Sequence, residues 1–394
     1  MGYKKVKLKE IGKIITGNTP SKKNDEYYNS NDIMFIKPND INTEKVSILE
    51  NSIDYLSCEG AKVARVIPKG SVFTTCIGII GKVGILNTEQ AAFNQQINAI
   101  IPDEKVCNSK FLAYNIFYNK EKLKAIANAP VVPIINKKQF SELEIPLPPL
   151  ETQKKIANVL DKAMALIDKR KEQIQKLDEF IQSVFLDMFG DPVNNPKGWE
   201  KGKIRDISLS TQYGTSKKAS ESKGNYPILR MNNITYNGNW DFSSLKYVEL
   251  DEKESQKYLV YKGELLFNRT NSKELVGKTA VYREDKPMAF AGYLVKLIPN
   301  KKANSEFISG YLNSVYGKKT LYSMAKNIVG MANINAEELK NIKIYIPPIE
   351  LQNKFAQIVQ KTEKQKELLQ KSLVELENNF NSLMQRAFKG ELFD

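Results

Sequence analysis

The 394-residue sequence has no histidine, three cysteines and two tryptophans. The missing imidazole excludes Ser-His-Asp and Cys-His catalysis, an H-E-x-x-H zinc site and a histidine pH switch. Cys58, Cys76 and Cys107 fall in the first half without C-x-x-C spacing, so neither a structural zinc nor a disulfide framework is expected. They read as small buried apolar side chains in a reducing compartment. No run of about 18 apolar residues occurs, so no membrane span is expected. The opening MGYKKVKLKEIG has charge but no apolar h-region, unlike a signal peptide, and Val6 stands where a myristoylation motif needs Ser or Thr. A cytoplasmic protein is the expectation.

Catalytic signatures are missing too. No G-x-x-x-x-G-K-[ST] phosphate loop occurs. Gly78-Ile79-Ile80-Gly81-Lys82 is too short for one, is followed by Val83, and reads as a buried turn. Neither Asn-Pro-Pro-aromatic nor Asp-Pro-Pro-Tyr appears, so no amino-methyltransferase centre is expected. The acidic residues are scattered and assemble no two-carboxylate metal site. No catalytic residue, metal ligand or cofactor is therefore assigned to this chain.

What the sequence has in excess is positive charge: 59 Lys and Arg against 45 Asp and Glu, a net +14. Residues 1–150 carry +5, 151–200 carry −1, 201–350 carry +9 and 351–394 carry +1. The basicity belongs to two large segments and not to a tail, as expected of a property of two folded domains.

Those segments are copies of one unit. IPLPPLETQKKIANVL from Ile145 matches IYIPPIELQNKFAQIV from Ile344 at an offset of 199, pairing Glu151 with Glu350, Gln153 with Gln352 and Lys155 with Lys354. The offset holds to Phe189/Phe388 and back to Ile135-Asn136/Ile334-Asn335. Farther upstream it drifts: Gly81-Lys82 faces Gly277-Lys278, and Lys69-Gly70 faces Lys262-Gly263. After each Pro-Pro, about 35 residues lack Pro and Gly and show a seven-residue apolar period. One helix has columns Leu160, Ile167, Ile174, Ile181, Met188 and Ala163, Arg170, Leu177, Val184. The other has Val359, Lys366, Leu373, Phe380, Ala387 and Phe355, Thr362, Leu369, Leu376, Leu383. Arg170 and Lys366 interrupt the seams, and each reads as a long stem lying along its seam with the charge at the surface. Each helix spans about 50 Å, and antiparallel pairing relates equivalent units most simply.

The expected fold is therefore α+β: residues 1–147 and 196–346 form two pseudo-repeated α/β domains, and 148–195 and 347–394 form two long helices in an antiparallel coiled coil. Asp32–Ile36, Ser71–Thr75 and Tyr293–Leu297 have strand composition. Residues Phe111 to Ala127 and Phe307 to Ala325 read as amphipathic helices.

Polar and basic residues recur at matching loop positions. Lys22 and Lys23 correspond to Lys217 and Lys218, Lys37 and Asn39 to Arg230 and Asn232, and Thr74-Thr75 to Asn268-Arg269-Thr270. Gln95 and Gln96 face Ala291-Gly292-Tyr293, and Lys278 completes the candidate set. Lys and Arg suit phosphates, while Arg, Asn and Gln pair with base edges, so these sixteen residues are candidate DNA contacts. Equivalent loops holding different residues suit two readers of one design tuned to different sequences.

At this level the chain resembles the specificity subunits of type I DNA restriction–modification systems. The likeness rests on the two IPLPP/YIPP-led helices with E-x-Q-x-K, on Phe189-Gly190-Asp191-Pro192 and Ala387 to Phe393, and on Gly-Lys-Val-Gly-Ile-Leu followed by Phe93-Asn94-Gln95-Gln96. The second unit keeps Gly277-Lys278-Thr279-Ala280 without Asn-Gln-Gln, which leaves Gln95 and Gln96 free for a sequence-specific role. The resemblance implies two target-recognition domains on double-stranded DNA with a bipartite target, and no catalysis in this chain. It implies two modification (methyltransferase) subunits that bring S-adenosylmethionine, and restriction subunits using ATP and Mg. The rival readings are a stand-alone DNA-modifying or metal-dependent DNA-cleaving enzyme, and a coiled-coil scaffold for proteins.

Overall fold

The computed structural model describes residues 3–127, 132–328 and 330–393. The chain divides into two units, residues 1–170 with 372–394, and residues 171–371. Each is built on two main sheets.

In the first unit, a five-stranded sheet runs in the order Gly12–Thr16, Ile97–Pro102, Val72–Thr75, Val83–Leu86, Ser47–Leu49. A four-stranded sheet follows the order Tyr55–Leu56, Ile33–Ile36, Gln90–Phe93, Val66–Pro68, with Ile33–Ile36 and Gln90–Phe93 parallel. Strand Val72–Thr75 is buried along its whole length. Alternate side chains leave a strand on opposite faces, so Val72 enters one core and Phe73 another. In the second unit, Leu265–Asn268 repeats the arrangement between Leu294–Pro299 and Thr279–Val281, sending Leu265 and Phe267 to one core and Leu266 to the other. The four-stranded sheet recurs as Lys246–Val248, Tyr226–Leu229, Met288–Phe290, Leu259–Val260.

The two amphipathic segments are each broken in two: Ser109–Tyr118 then Lys120–Ile126, and Ser305–Asn313 then Val315–Met324. Ser314 ends one helix and caps the next, its hydroxyl accepting the Gly317 N–H at 3.1 Å. The apolar period continues through the break, so periodicity alone reads one helix.

The long helices span Leu150–Phe189 and Ile349–Lys389. In the second unit, Phe355 meets the rings of Phe185 and Phe189 at 5.6 and 5.4 Å, while Lys366 reaches Asp178. As one residue number rises the other falls, so the helices are antiparallel. In the first unit, Ile156, Leu160 and Ile167 share a core with Phe380, Met384 and Phe388. Near the end of the first helix the buried positions are Phe185 and Phe189, beside the expected Val184 and Met188. A 3.6-residue turn drifts from a 3.5-residue repeat, and this end packs on Phe307 of the globular part as well as on the other helix.

Lys366 departs from expectation. Its side chain is 4% exposed and forms an ion pair with Asp178, with Glu363 at 3.9 Å. The charge sits inside the seam because a carboxylate on the facing helix meets it there. Cys76 and Cys107 are buried as expected, but Cys58 is exposed at the start of helix Cys58–Val63. Its backbone N–H, one of the helix's orphan donors, goes to Asp32 Oδ2 at 2.9 Å, which holds it at the surface. The Gly78–Lys82 segment is a turn with Gly78 and Gly81 at positive φ, buried from Ile80 onward and exposed at Gly78 and Ile79.

The E-x-Q-x-K repeat has a physical reason. Gln153 is buried; its Oε1 accepts the Asn108 N–H at 2.8 Å, and its Nε2 donates to Val106 O and Pro148 O at 3.0 and 2.8 Å. Gln352 does the same with Asn304 N–H, Lys302 O and Pro347 O, at 2.9, 3.0 and 2.8 Å. Each glutamine clips the start of a long helix to the loop ahead of a globular-domain helix. Gln352→Leu keeps the bulk and strands three backbone groups, one buried and two part-buried, so urea denaturation should show a loss of about 2–3 kcal/mol.

Candidate nucleic-acid interface

The loops carrying Lys22-Lys23 and Gln95-Gln96, and their counterparts at Lys217-Lys218 and Ala291-Tyr293, come together because glycine lets backbones touch. A Cβ on Gly17 would lie 2.2 Å from Asn94 O, and one on Gly214 would lie 2.3 Å from Ala291 O. Asn18 N–H donates to Phe93 O and Thr215 N–H to Phe290 O. The loop carrying Lys22 and Lys23 therefore runs beside Gln95, whose Oε1 accepts the Thr19 hydroxyl at 2.5 Å. Gln96 is tied to Asn94 at 2.9 Å, while Gln95 is exposed. Lys22, Lys23 and Lys218 are exposed and form no ion pair among the described residues. Lys217 is paired with Glu254 and donates to Glu249 O at 3.2 Å.

The next loops also correspond atom for atom. Lys37 N–H donates to Asp40 Oδ2 at 2.7 Å, and Arg230 N–H to Asn233 Oδ1 at 2.9 Å. Both loops leave their tips exposed, at Asn39 and Asn232. Lys37 Nζ is paired with Asp54 at 2.7 Å, and Arg230 Nη2 donates to Ser244 O at 2.7 Å. The Arg230 Nε is buried without an acceptor.

Thr74, Thr75 and Asn268 are fully buried and present no surface to a ligand in this conformation. They end strands covered on both faces, and their polar composition resembles that of an exposed loop. Thr75 N–H donates to Lys82 O at 3.0 Å, as Asn268 N–H does to Lys278 O at 2.9 Å. Just beyond, Arg269 lies over the Tyr213 ring at 4.9 Å, its Nε also buried without an acceptor, and Thr270 Oγ1 accepts from Asn333 Nδ2 at 2.7 Å. Tyr213 and Asn333 went unread in the sequence, where only their position beside a basic loop singles them out. Lys278 does not reach outward: its ammonium donates to Met231 O at 2.9 Å and to Ile234 O, and burial lowers its pKa. Among the described residues no three Cys, Asp or Glu side chains gather as a metal site, and no helix is long and apolar enough to cross a membrane.

Two units thus offer the same scaffold of loops with different exposed side chains. The family model for the type I restriction modification DNA specificity domain matches residues 1–179 and again 196–378. The chain belongs to this family. Its relatives include the type I restriction enzyme EcoKI specificity subunit of Escherichia coli K12, 24% identical over 83% of this chain and 76% of that protein. The MjaIX specificity subunit of Methanocaldococcus jannaschii is 28% identical over 98% and 92%. The fold is shared with the crystal structure of a type I system S subunit from M. genitalium, with a TM-score of 0.57, 15% identity and coverage of 98% and 96%. A second structure, described as the basis of complex assembly and conformational transition of the type I R-M system, gives 0.59 at 16% identity, covering 99% and 98%. As a member of the family, the chain is a DNA sequence-specificity subunit, a recognition protein and not a catalyst.

Proposed function

We propose that each globular part reads one half of a bipartite double-stranded DNA target, and that the paired helices set the spacing between the halves. In this reading two modification subunits dock on the chain and bring S-adenosylmethionine, restriction subunits bring ATP and Mg, and the complex works in the cytoplasm. The observation that carries the reading is the paired loop scaffold: the Lys37 and Arg230 N–H groups each donate to the side chain three residues on, both tips are asparagine, and the residues around them differ, Lys37, Pro38 and Asp40 against Arg230, Met231 and Asn233. Net charges of +5 and +9 on the two large segments supply the phosphate attraction.

The test exchanges residues 1–147 for those of another family member and maps methylated sites with the modification subunits present. One half-site should change and the other stay. A change in both halves would overturn independent reading.

A further inference from the structure

Gly81-Lys82 and Gly277-Lys278 are kept between the two units while the surrounding loops diverge. The reason for keeping lysine is visible in what its ammonium does. Lys82 Nζ donates to Pro38 O at 2.8 Å. Lys278 Nζ donates to Met231 O at 2.9 Å and also to Ile234 O. Pro38 and Met231 are equivalent residues, each following the Lys37 or Arg230 whose N–H closes the loop.

The base of each lysine is fixed as well. Thr75 N–H to Lys82 O and Gly81 N–H to Thr75 O bracket the first, at 3.0 and 2.9 Å. Asn268 N–H to Lys278 O and Gly277 N–H to Asn268 O bracket the second, at 2.9 and 2.8 Å. Gly81 and Gly277 both take positive φ, and a Cβ would meet Lys120 and Leu321 at 2.9 and 2.7 Å. The glycine permits the turn, the strand end anchors the lysine, and a stem 8% exposed at Lys82 carries the charge under the loop. Three N–H groups on one ammonium can satisfy several carbonyls that turn inward with no strand partner.

We propose that Lys82 and Lys278 are positioning residues: each clamps the backbone of the loop that presents Lys37 and Asn39, or Arg230 and Asn232, to DNA, and does not touch DNA itself. The proposal rests on the reading that these loops contact the target. A clamp of this kind lets side chains around the loop tip vary while the backbone stays fixed, which two readers of different sequences require. Base discrimination depends on placing donors and acceptors within hydrogen-bonding distance of a base edge, so a loosened loop loses selectivity before general affinity.

The experiment uses the full chain with its modification subunits and compares Lys278→Met, Lys278→Arg and Arg230→Ala/Asn232→Ala by methylation-site mapping and by DNA affinity against salt. Lys278→Met should relax discrimination about tenfold in one half-site only, with the salt slope unchanged. Lys278→Arg, which keeps the donors, should restore most of it. Lys82→Met should do the same to the other half-site, and it decides the question if Lys278→Met does not accumulate. Uniformly weaker binding with a salt slope reduced by about one would make Lys278 a phosphate contact and overturn the clamp. Unchanged targets for Lys278→Met beside an altered target for Arg230→Ala/Asn232→Ala would overturn it too. Unchanged targets for both would instead remove the loop from recognition.

Discussion

Lys366→Ala should lower the stability of the chain by about 3–5 kcal/mol in chemical denaturation at pH 7, more than removal of any exposed ion pair. Lys366 sits in the helix seam beside Asp178, and both are largely buried. Truncating the lysine leaves Asp178, among the described residues, with only the Asn239 Nδ2 at 3.2 Å, and leaves Glu363 without the Lys366 ammonium 3.9 Å away on the same helix. Burial already pushes the Glu363 carboxyl pKa up, opposed by Arg283 and Lys366. A carboxyl whose folded pKa is raised adds stability below its unfolded value and loses it as pH rises through the folded one. Removing Lys366 moves the Glu363 carboxyl further that way, so the deficit should be widest at neutral pH and narrow as pH falls through the Glu363 titration. Lys366→Met with Asp178→Leu should recover most of the loss, because an apolar pair of similar bulk suits the seam. The recovery falls short of complete, since Asn239 loses its acceptor. A single variant as stable as the parent would place the charge in water.

Lys366 also marks the limit of a one-strand reading of sequence. A seven-residue period identifies the column in which it lies, but only the facing helix supplies Asp178, 188 residues away in the chain. The same holds for Thr74, Thr75 and Asn268. Their composition suits a loop, yet they end strands that feed two cores at once, a property set by the sheet's neighbours. Features repeated at fixed offset were the readable ones. Gln153/Gln352 and Asn136/Asn335 stand out in self-comparison because each repeats one local task, the glutamines a three-way clip and the asparagines an N-terminal cap. Lys82/Lys278 stood out too, and its meaning was hidden because a lysine beside a polar loop invites a phosphate before it suggests a carbonyl. Asn39 and Asn232 are legible as loop residues because their polar and basic surroundings repeat between the units, and Asp40 and Asn233 fix the backbone beside them.

Under the proposed reading the helices carry the separation between half-sites, so shortening them in register should change the spacing and leave the half-sites alone. Residues 171–177 and 367–373 are a matched pair in the register defined by Asp178–Lys366 and Phe185–Phe355, and removing both spares those contacts. Seven residues are two turns, so each helix keeps its seam on the same face and shortens by about 10 Å, or about 3 bp of duplex. Three base pairs also turn the duplex by roughly 100°, whereas seven residues of a coiled coil return nearly to the starting azimuth. The variant therefore meets DNA at the shorter spacing only by twisting one partner, and methylation should be slower as well as shifted. Methylation mapping should show the preferred spacer reduced by about 3 bp with both half-sites unaltered. An unchanged spacer would assign the distance to the subunits docked on the chain, and altered half-sites would mean that the helices shape the readers themselves.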